Sequence, residues 1–208
     1  MLYARLDLIT ADPLALGGCI TYIEREFRPA AESRPGNLGL SLLARPGSGA
    51  AVLESFWASR DALAASEQPE ALQYGELARR ARGSVASWQY QLPVFERAAL
   101  LDGGEEVRLT RIEVKPSAVA DVIEVFGDSA VPRLAEATGF RGALLFADPG
   151  SGHLISESAW WDAQARAASP SVAALIRSDL VEAANCQIRG VDDYSLVFSS
   201  TQEKPERW

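Results

Sequence analysis

Two short stretches hold the residue types from which a reaction could be assembled: Glu54-Ser55 followed by Trp57, and Glu157-Ser158 followed by Trp160. An indole offers a broad apolar face against which a planar molecule can stack, and a carboxylate removed from water must find a partner. Two-residue alternation along a strand puts each glutamate on the side opposite its tryptophan. Arg5 and Arg108 recur with them, so the glutamates are expected in a structural ion-pair set with these arginines rather than in catalysis. Other chemistries lack their residues. His153 is the sole histidine, Cys19 and Cys186 are the sole cysteines, and no HExxH spacing, GxSxG elbow, GxGxxG turn after a strand or Walker A sequence occurs. The glycine-rich Pro46-Gly47-Ser48-Gly49 joins two strands and precedes no helix, so it is expected to be a turn and not a phosphate cradle. No metal and no cofactor is expected, and free, partly buried thiols are expected of the cysteines.

The elements that must position these residues are written twice. Tyr3 to Ser66 aligns without a gap with Glu106 to Ser169, at an offset of 103, and 22 of those 64 positions are identical. Such self-similarity makes the folding unit a repeat of about 100 residues, the common domain size. Each copy opens with alternating residues that suit a strand, Leu2 to Thr10 and Val107 to Val114, and reaches Pro13 or Pro116 at the start of a helix. Ile20, Ile23 and Phe27, and Ile123, Phe126 and Leu134, form the apolar stripes of these helices, which Pro29 and Pro132 should kink or end. Leu38 to Ala44 and Val52 to Trp57 flank a turn and predict a hairpin. A helical stretch then runs to about Arg82, with a break expected at Gln68-Pro69, and Asp162 to Ala184 repeats it. Tyr90-Gln91-Leu92 and Tyr194-Ser195-Leu196 mark a closing strand in each copy.

The order βαββαβ, read twice, predicts an α+β chain of two ferredoxin-like repeats. Their boundaries are residues 1–97 and 106–200, with a linker at 98–105 and a polar tail at 201–208. Apolar residues on both phases of the strands leave neither sheet face to water, which is met by packing the two repeats sheet to sheet. Composition narrows the partners. A formal charge of -8 and a pI near 4.8 oppose a phosphate backbone, so nucleic acid and anionic membrane surfaces are not expected. No apolar run approaches the roughly 20 residues of a membrane span, and the start of the chain does not read as a signal peptide, so a cytoplasmic location is expected.

Arg34-Pro35-Gly36-Asn37-Leu38-Gly39 and the run from Val52 to Leu63 resemble the signature of the antibiotic biosynthesis monooxygenase superfamily, the dimeric α/β barrel proteins. Thr138-Gly139-Phe140-Arg141-Gly142 and Ile155 to Trp161 repeat the resemblance in the second copy, so it covers nearly the whole chain. It implies an intramolecular dimeric α/β barrel with a pocket between sheet and helices. The tryptophans that line that pocket would be Trp57 and Trp160, with filling of the core as the plainer role for each. Trp88 and Trp161 add aromatic surface as further substrate contacts, again with packing as the plainer role. Some relatives carry an asparagine on the first strand where this chain has Asp7 and Thr110, which makes these two the candidates to manage a proton, Asp7 as the better base. The plainer role of Asp7 is an ion pair with an arginine such as Arg5. The haem-degrading members hold iron through a histidine on the second helix, where this chain offers Glu76 and Asp179, so haem is disfavoured, and His153 is expected at an exposed rim. The resemblance thus implies a cofactor-independent monooxygenase acting on a small aromatic or polyketide-like molecule. The alternative is a non-catalytic small-molecule binding or stress-associated protein on the same scaffold, with a purely structural interaction module as a third reading. Further pairing into a homo-oligomer stays open.

Overall fold

The computed structural model describes residues 1–45, 47–98, 101, 103–169 and 187–201. Eight strands alternate with helices: β1 (Leu2–Thr10), α1 (Leu16–Tyr22), a π-helical turn (Ile23–Phe27), α2 (Arg28–Glu32), β2 (Asn37–Ala44), β3 (Ala50–Trp57), α3 (Arg60–Ala81) and β4 (Ser84–Arg97). The second copy follows as β5 (Glu106–Glu113), a 3-10 turn (Pro116–Ala118), α4 (Val119–Val125), a π-helical turn (Phe126–Ala130), α5 (Val131–Ala135), β6 (Phe140–Asp148), β7 (His153–Trp160), α6 (Ala163–Ala168) and β8 (Gln187–Ser199). The strands hydrogen-bond in the order β1-β3-β2-β8-β5-β7-β6-β4 and close into a barrel, the intramolecular dimeric α/β barrel expected from the repeat. The chain divides into two compact units, residues 1–90 with the strand end from Ser195, and residues 91–194.

In the first unit the hairpin of β2 and β3 forms as expected, and β3 also pairs antiparallel with β1. The register fixes the faces. Tyr3, Arg5 and Asp7 lie opposite Trp57, Ser55 and Leu53, whereas Leu6 lies opposite Glu54 on the other side. On the helix side Ile9, Leu40, Leu42 and Leu53 pack with Cys19, Ile23 and Phe27, and with Leu77 and Ala81 of α3. Each such side chain taken out of water contributes about 1.5–3 kcal/mol, so this layer is what holds the helices to the sheet. Ala4, Leu6, Val52 and Phe56 on the opposite face are buried as well, in keeping with strands apolar on both phases. In the second unit Ile112, Leu145, Leu154 and Trp160 form the equivalent layer with Val122, Phe126 and Leu134.

Of two expectations about proline, one is met in part and one is corrected. Pro29 and Pro132 interrupt the regular α-helix, as expected, without ending the helical run. A π-helical turn precedes each, in which the Arg28 and Val131 N–H groups bond the carbonyls of Ile23 and Phe126, five residues back, and α-helix resumes beyond. Widening the turn accommodates a ring that would strike the carbonyl four residues before it. The break expected at Pro69 is absent, since α3 runs unbroken from the Ser59 cap, whose hydroxyl accepts from the Ala62 N–H at 3.1 Å, to Arg82 in the left-handed conformation. The repeated glycine turn has a steric cause. Gly49 has φ +72° and a β-carbon there would lie 2.0 Å from the Ala11 carbonyl oxygen, while Gly152 has φ +80° and the same 2.0 Å from Val114. Pro46, Asp102, Cys186, Asp179 and the helix expected beyond Ser169 lie outside the described residues.

Candidate functional site

Continuity of α3 through Pro69 decides the chemistry of the first unit. Ser66, Glu70 and Tyr74 follow one another at four-residue steps, so they form one stripe, and this stripe faces β1 in line with the apolar Leu63, Leu77 and Ala81. Arg5, only 3 % exposed, reaches up from the sheet to meet it. One terminal nitrogen, Nη1, donates to Glu70 Oε2 at 2.6 Å and to Tyr74 Oη at 3.2 Å, and the other, Nη2, donates to Ser66 Oγ at 3.1 Å and the Leu63 carbonyl at 3.4 Å. Tyr74 Oη donates to Asp7 Oδ2 at 2.8 Å, and the Ser87 hydroxyl of β4 donates to Asp7 Oδ1 at 2.5 Å. The result is a continuous hydrogen-bonded chain Glu70–Arg5–Tyr74–Asp7–Ser87 between sheet and helix, buried at Glu70, Arg5 and Asp7, half-buried at Tyr74 and ending at the exposed Ser87.

Burial governs its protonation. Desolvation pushes the Asp7 carboxyl up to about 6, and the bonds from Ser87 and Tyr74 and the charge of Arg5 pull back only part of that rise. The same effect raises Glu70, opposed by Arg5 and Arg34. Tyr74 is pushed up chiefly by burial and further by the Asp7 charge, so its phenol stays protonated at any ordinary pH. The two neighbours therefore divide their roles. Asp7 changes charge just below neutrality while Tyr74 remains a fixed donor.

The sequence candidates fall into three groups. Asp7 is in the chain just described, and its bonds run to Tyr74 and Ser87 while Arg5 acts on it through charge. Thr110, its counterpart, is buried opposite Ser156 on β7 with no carboxylate in its place. Trp57 and Trp160 are fully buried, and each indole N–H donates within its own strand, to Ser55 Oγ at 3.0 Å and Ser158 Oγ at 3.1 Å. Phe140 meets the Trp160 ring edge-on at 5.8 Å. Trp88 alternates with Ser87 and Gln89, which bond Asp7 and Glu67 on the helix side, so its ring is on the face away from the helices, 48 % exposed. Trp161 is 67 % exposed beside the Arg141 guanidinium, at 5.6 Å, and lines a cleft of about 410 Å³ with Gly103, Gly104 and Glu105 in the second unit. His153 is exposed at the start of β7, as expected.

The expected pairing of Glu54 and Glu157 with Arg5 and Arg108 is corrected. Leu6 and Leu109 stand opposite the two glutamates, so the arginines one residue before them point the other way. Arg5 takes Glu70 instead, and Arg108 Nε donates to Asp193 Oδ1 at 3.0 Å. Glu70, Tyr74 and Ser87 were not singled out from sequence. The signal for two of them was present, since the spacing Ser66-x₃-Glu70-x₃-Tyr74 runs down the core side of a helix, where polar residues need a buried partner. Among the described residues no group of three or more histidine, cysteine, aspartate or glutamate side chains could hold a metal ion, and no helix is long and apolar enough to cross a membrane.

No protein-family model matches the chain. In sequence it is 26% identical over 200 residues to an uncharacterised protein of Mycobacterium tuberculosis, covering 96% of this chain and 85% of that protein. A second uncharacterised protein of that organism is 27% identical over 158 residues, 76% of this chain and 70% of the other. Among solved structures it is similar to a candidate monooxygenase from Lactobacillus acidophilus, with a TM-score of 0.71 at 13% identity over 97% of this chain and 96% of that one. An anthrone oxidase-like protein gives a TM-score of 0.69 at 16% identity, over 98% and 94%. A ferredoxin-fold protein related to antibiotic biosynthesis monooxygenases, from Listeria monocytogenes, gives 0.54 at 10% identity, over 94% and 95%. With the strand order these likenesses show that the chain has the closed-barrel fold of the antibiotic biosynthesis monooxygenase type.

Proposed function

We propose that the protein is a cofactor-independent monooxygenase acting on a planar aromatic or polyketide-like molecule that carries an acidic C–H or phenol, with Asp7 as the base. The supporting observation is the buried Asp7 carboxylate, raised to about 6 and held by two hydroxyl donors beneath the exposed Ser87. A base of that strength is mostly ionised at pH 7 yet binds a proton readily, the balance that general-base catalysis needs. For an anthrone-type methylene, Asp7 takes one proton and the carbanion passes an electron to oxygen. Recombination of the radical pair gives a peroxide, which the Asp7 carboxylic acid reprotonates. The peroxide then loses water, so that CH₂ and O₂ become C=O and H₂O with no further reductant. Tyr74, fixed by Arg5, keeps Asp7 Oδ2 in place, and Ser87 is the group nearest solvent. The anthrone oxidase-like neighbour makes anthrone the first substrate to try.

Oxygen uptake and anthraquinone absorbance with anthrone are the assay. Wild type is expected to turn over above the buffer rate and Asp7→Asn to fall to that rate with its fold intact. Equal uptake by both proteins overturns the assignment of Asp7. A second reading, binding without turnover, is favoured by the Arg5 clamp. Asp7 and Trp57 are separated along β1 by four residues, about 13 Å, and Arg5 with its partners fills the helix side between them. Anthrone that binds without any oxygen uptake would decide for that reading.

A further inference from the structure

In the second unit the register of β6 slips between Phe140 and Gly142, and the extra residue is Arg141. A bulge of this kind re-aims the side chain it carries. The guanidinium comes to lie over the indole of Trp161, 5.6 Å from the ring centre. Both residues are anchored by their backbones. The Ala98 N–H donates to the Arg141 carbonyl at 2.9 Å, and the Trp161 N–H donates to the Gly139 carbonyl at 2.8 Å. Glu105 completes the group, with Oε1 3.7 Å from Arg141 Nη2 and Oε2 accepting from the Gly103 N–H at 3.0 Å. These residues and Gly104 line the cleft of about 410 Å³, to which Trp161 presents an indole that is 67 % exposed. The first copy makes the same bulge between Asn37 and Gly39, yet it carries Leu38 in place of Arg141, Ala58 in place of Trp161 and Leu2 in place of Glu105. The guanidinium, the indole and the carboxylate therefore serve nothing that the shared backbone requires.

We infer that this cleft binds the pyranose ring of a carbohydrate, with Trp161 against the C–H face of the sugar and Arg141 and Glu105 beside its hydroxyls. The mixture of groups selects that class. A pyranose has an apolar face that suits an indole, and a rim of neighbouring hydroxyls that both donate and accept. A guanidinium holds its N–H donors in a fixed fork, the spacing that two adjacent oxygens can meet. A carboxylate offers about four lone-pair positions, and Gly103 and Arg141 approach only two of those on Glu105, so it can still accept from a hydroxyl. Other ligands fit less well. A carboxylate or phosphate would be brought against Glu105, and an ammonium against Arg141. A flat aromatic molecule would cover the indole while taking water from the guanidinium and the carboxylate without replacing it. The cleft is in the size range of small-molecule sites. It lies in the unit that lacks Asp7, so the inference goes beyond the oxygenase reading and does not rest on it.

Nitrogen-15 NMR of the full chain tests it through the indole N–H signals of its five tryptophans, that of Trp161 being identified by its absence in Trp161→Ala. The probes are the methyl pyranosides of glucose, galactose and mannose, and the control is sorbitol, a polyol with no ring face. At least one pyranoside is expected to shift the Trp161 signal saturably at millimolar concentration, with the signals of the buried Trp57 and Trp160 unmoved. Arg141→Met should weaken that sugar about tenfold by removing charged donors. In Trp161→Ala, saturation transfer to the sugar protons should be lost with the melting temperature unchanged, because the indole is mostly in water, and Trp161→Phe, which keeps a ring face, should retain it. No shift with any of the three pyranosides, an equal shift with sorbitol, undiminished affinity in Arg141→Met, or persistent saturation transfer in Trp161→Ala each overturns the site. None of these outcomes reads oxygen uptake, so failure here and failure of the oxygenase reading are separate results.

Discussion

Replacing Asp7 by asparagine should stabilise the protein at alkaline pH and lose that advantage in acid. The carboxyl rises from 3.8 to about 6 on folding, chiefly because it is removed from water, so the folded state holds the Asp7 proton more tightly than the unfolded chain does. A raised carboxyl adds stability that is complete below the unfolded value and is gone once pH has risen through the folded one. Two units at 1.36 kcal/mol each make the whole effect about 3 kcal/mol, of which about 2.5 kcal/mol falls between pH 4 and pH 8. Asparagine takes no part in this titration. Its amide must also face one of the two hydroxyls, Tyr74 or Ser87, that now donate to the carboxylate, and this adds an offset of about 1 kcal/mol that does not vary with pH. The informative quantity is therefore the difference between variant and wild type as a function of pH, in which the other carboxylates cancel, Glu70 included except for its coupling to Asp7. For a chain of this length, 2.5 kcal/mol corresponds to a change of about 5–10 °C in the melting-temperature difference from pH 4 to pH 8. Thermal melts followed by circular dichroism at half-unit pH steps would measure it. A flat difference refutes the raised carboxyl. A wild type that gains on the variant as pH rises would mean that Tyr74 and Ser87 outweigh desolvation and hold the carboxylate below its usual range.

Two predictions concern the scaffold. Gly49→Ala and Gly152→Ala should each destabilise their unit by more than about 2 kcal/mol in urea unfolding, because the new methyl would sit 2.0 Å from a carbonyl oxygen and the backbone is left-handed at both places. Glu70→Gln should cost about 3–5 kcal/mol by leaving Arg5 charged in a site where it is 3 % exposed, whereas Asp193→Ala, which removes a partner of Arg108 that is 40 % exposed, should cost less than about 1 kcal/mol in the same experiment.

The frame was legible because its causes are local. Alternation in Leu2–Thr10, the glycine turn between β2 and β3, and the 103-residue offset each act within a few residues or repeat visibly. The candidate site was half legible. Asp7 came from a resemblance, yet the groups that hold its carboxylate are Tyr74, 67 positions away, and Ser87, 80 positions away. Both depend on the register of strands and on how α3 lies across them. Reading Pro69 as a break also divided Ser66 from Tyr74, which hid the polar stripe. A single missing N–H is a weak reason to end a helix whose other face buries Leu63, Leu77 and Ala81, and tertiary packing outweighed it here. The glutamates fail as ion-pair partners of Arg5 and Arg108 for a related reason: alternation within β3 and β7 was read correctly, but which phase of β1 and β5 it meets is set by pairing.

The two copies agree where the backbone is demanding and differ along the polar chain between sheet and helix. Gly36, Gly39, Gly49, Ser55 and Trp57 recur as Gly139, Gly142, Gly152, Ser158 and Trp160, residues that serve turns, a bulge and a capped indole. Asp7 becomes Thr110 and Arg34 becomes Ala137, while at the same offset Glu70 and Tyr74 answer to Ala173 and Arg177. Arg5 does persist as Arg108, whose partner among the described residues is Asp193 on β8. Asp7, Glu70 and Tyr74 are thus found in the first copy and replaced in the second, although both keep the layer of core that would support them. A fused pair of this kind should take up one ligand per chain and not two, so a calorimetric titration with anthrone under argon is expected to saturate at a stoichiometry of about one. Saturation near two would mean that the Trp160 side holds a ligand by groups unrelated to Asp7 and Tyr74, and that the polar chain in the first copy is no requirement for binding.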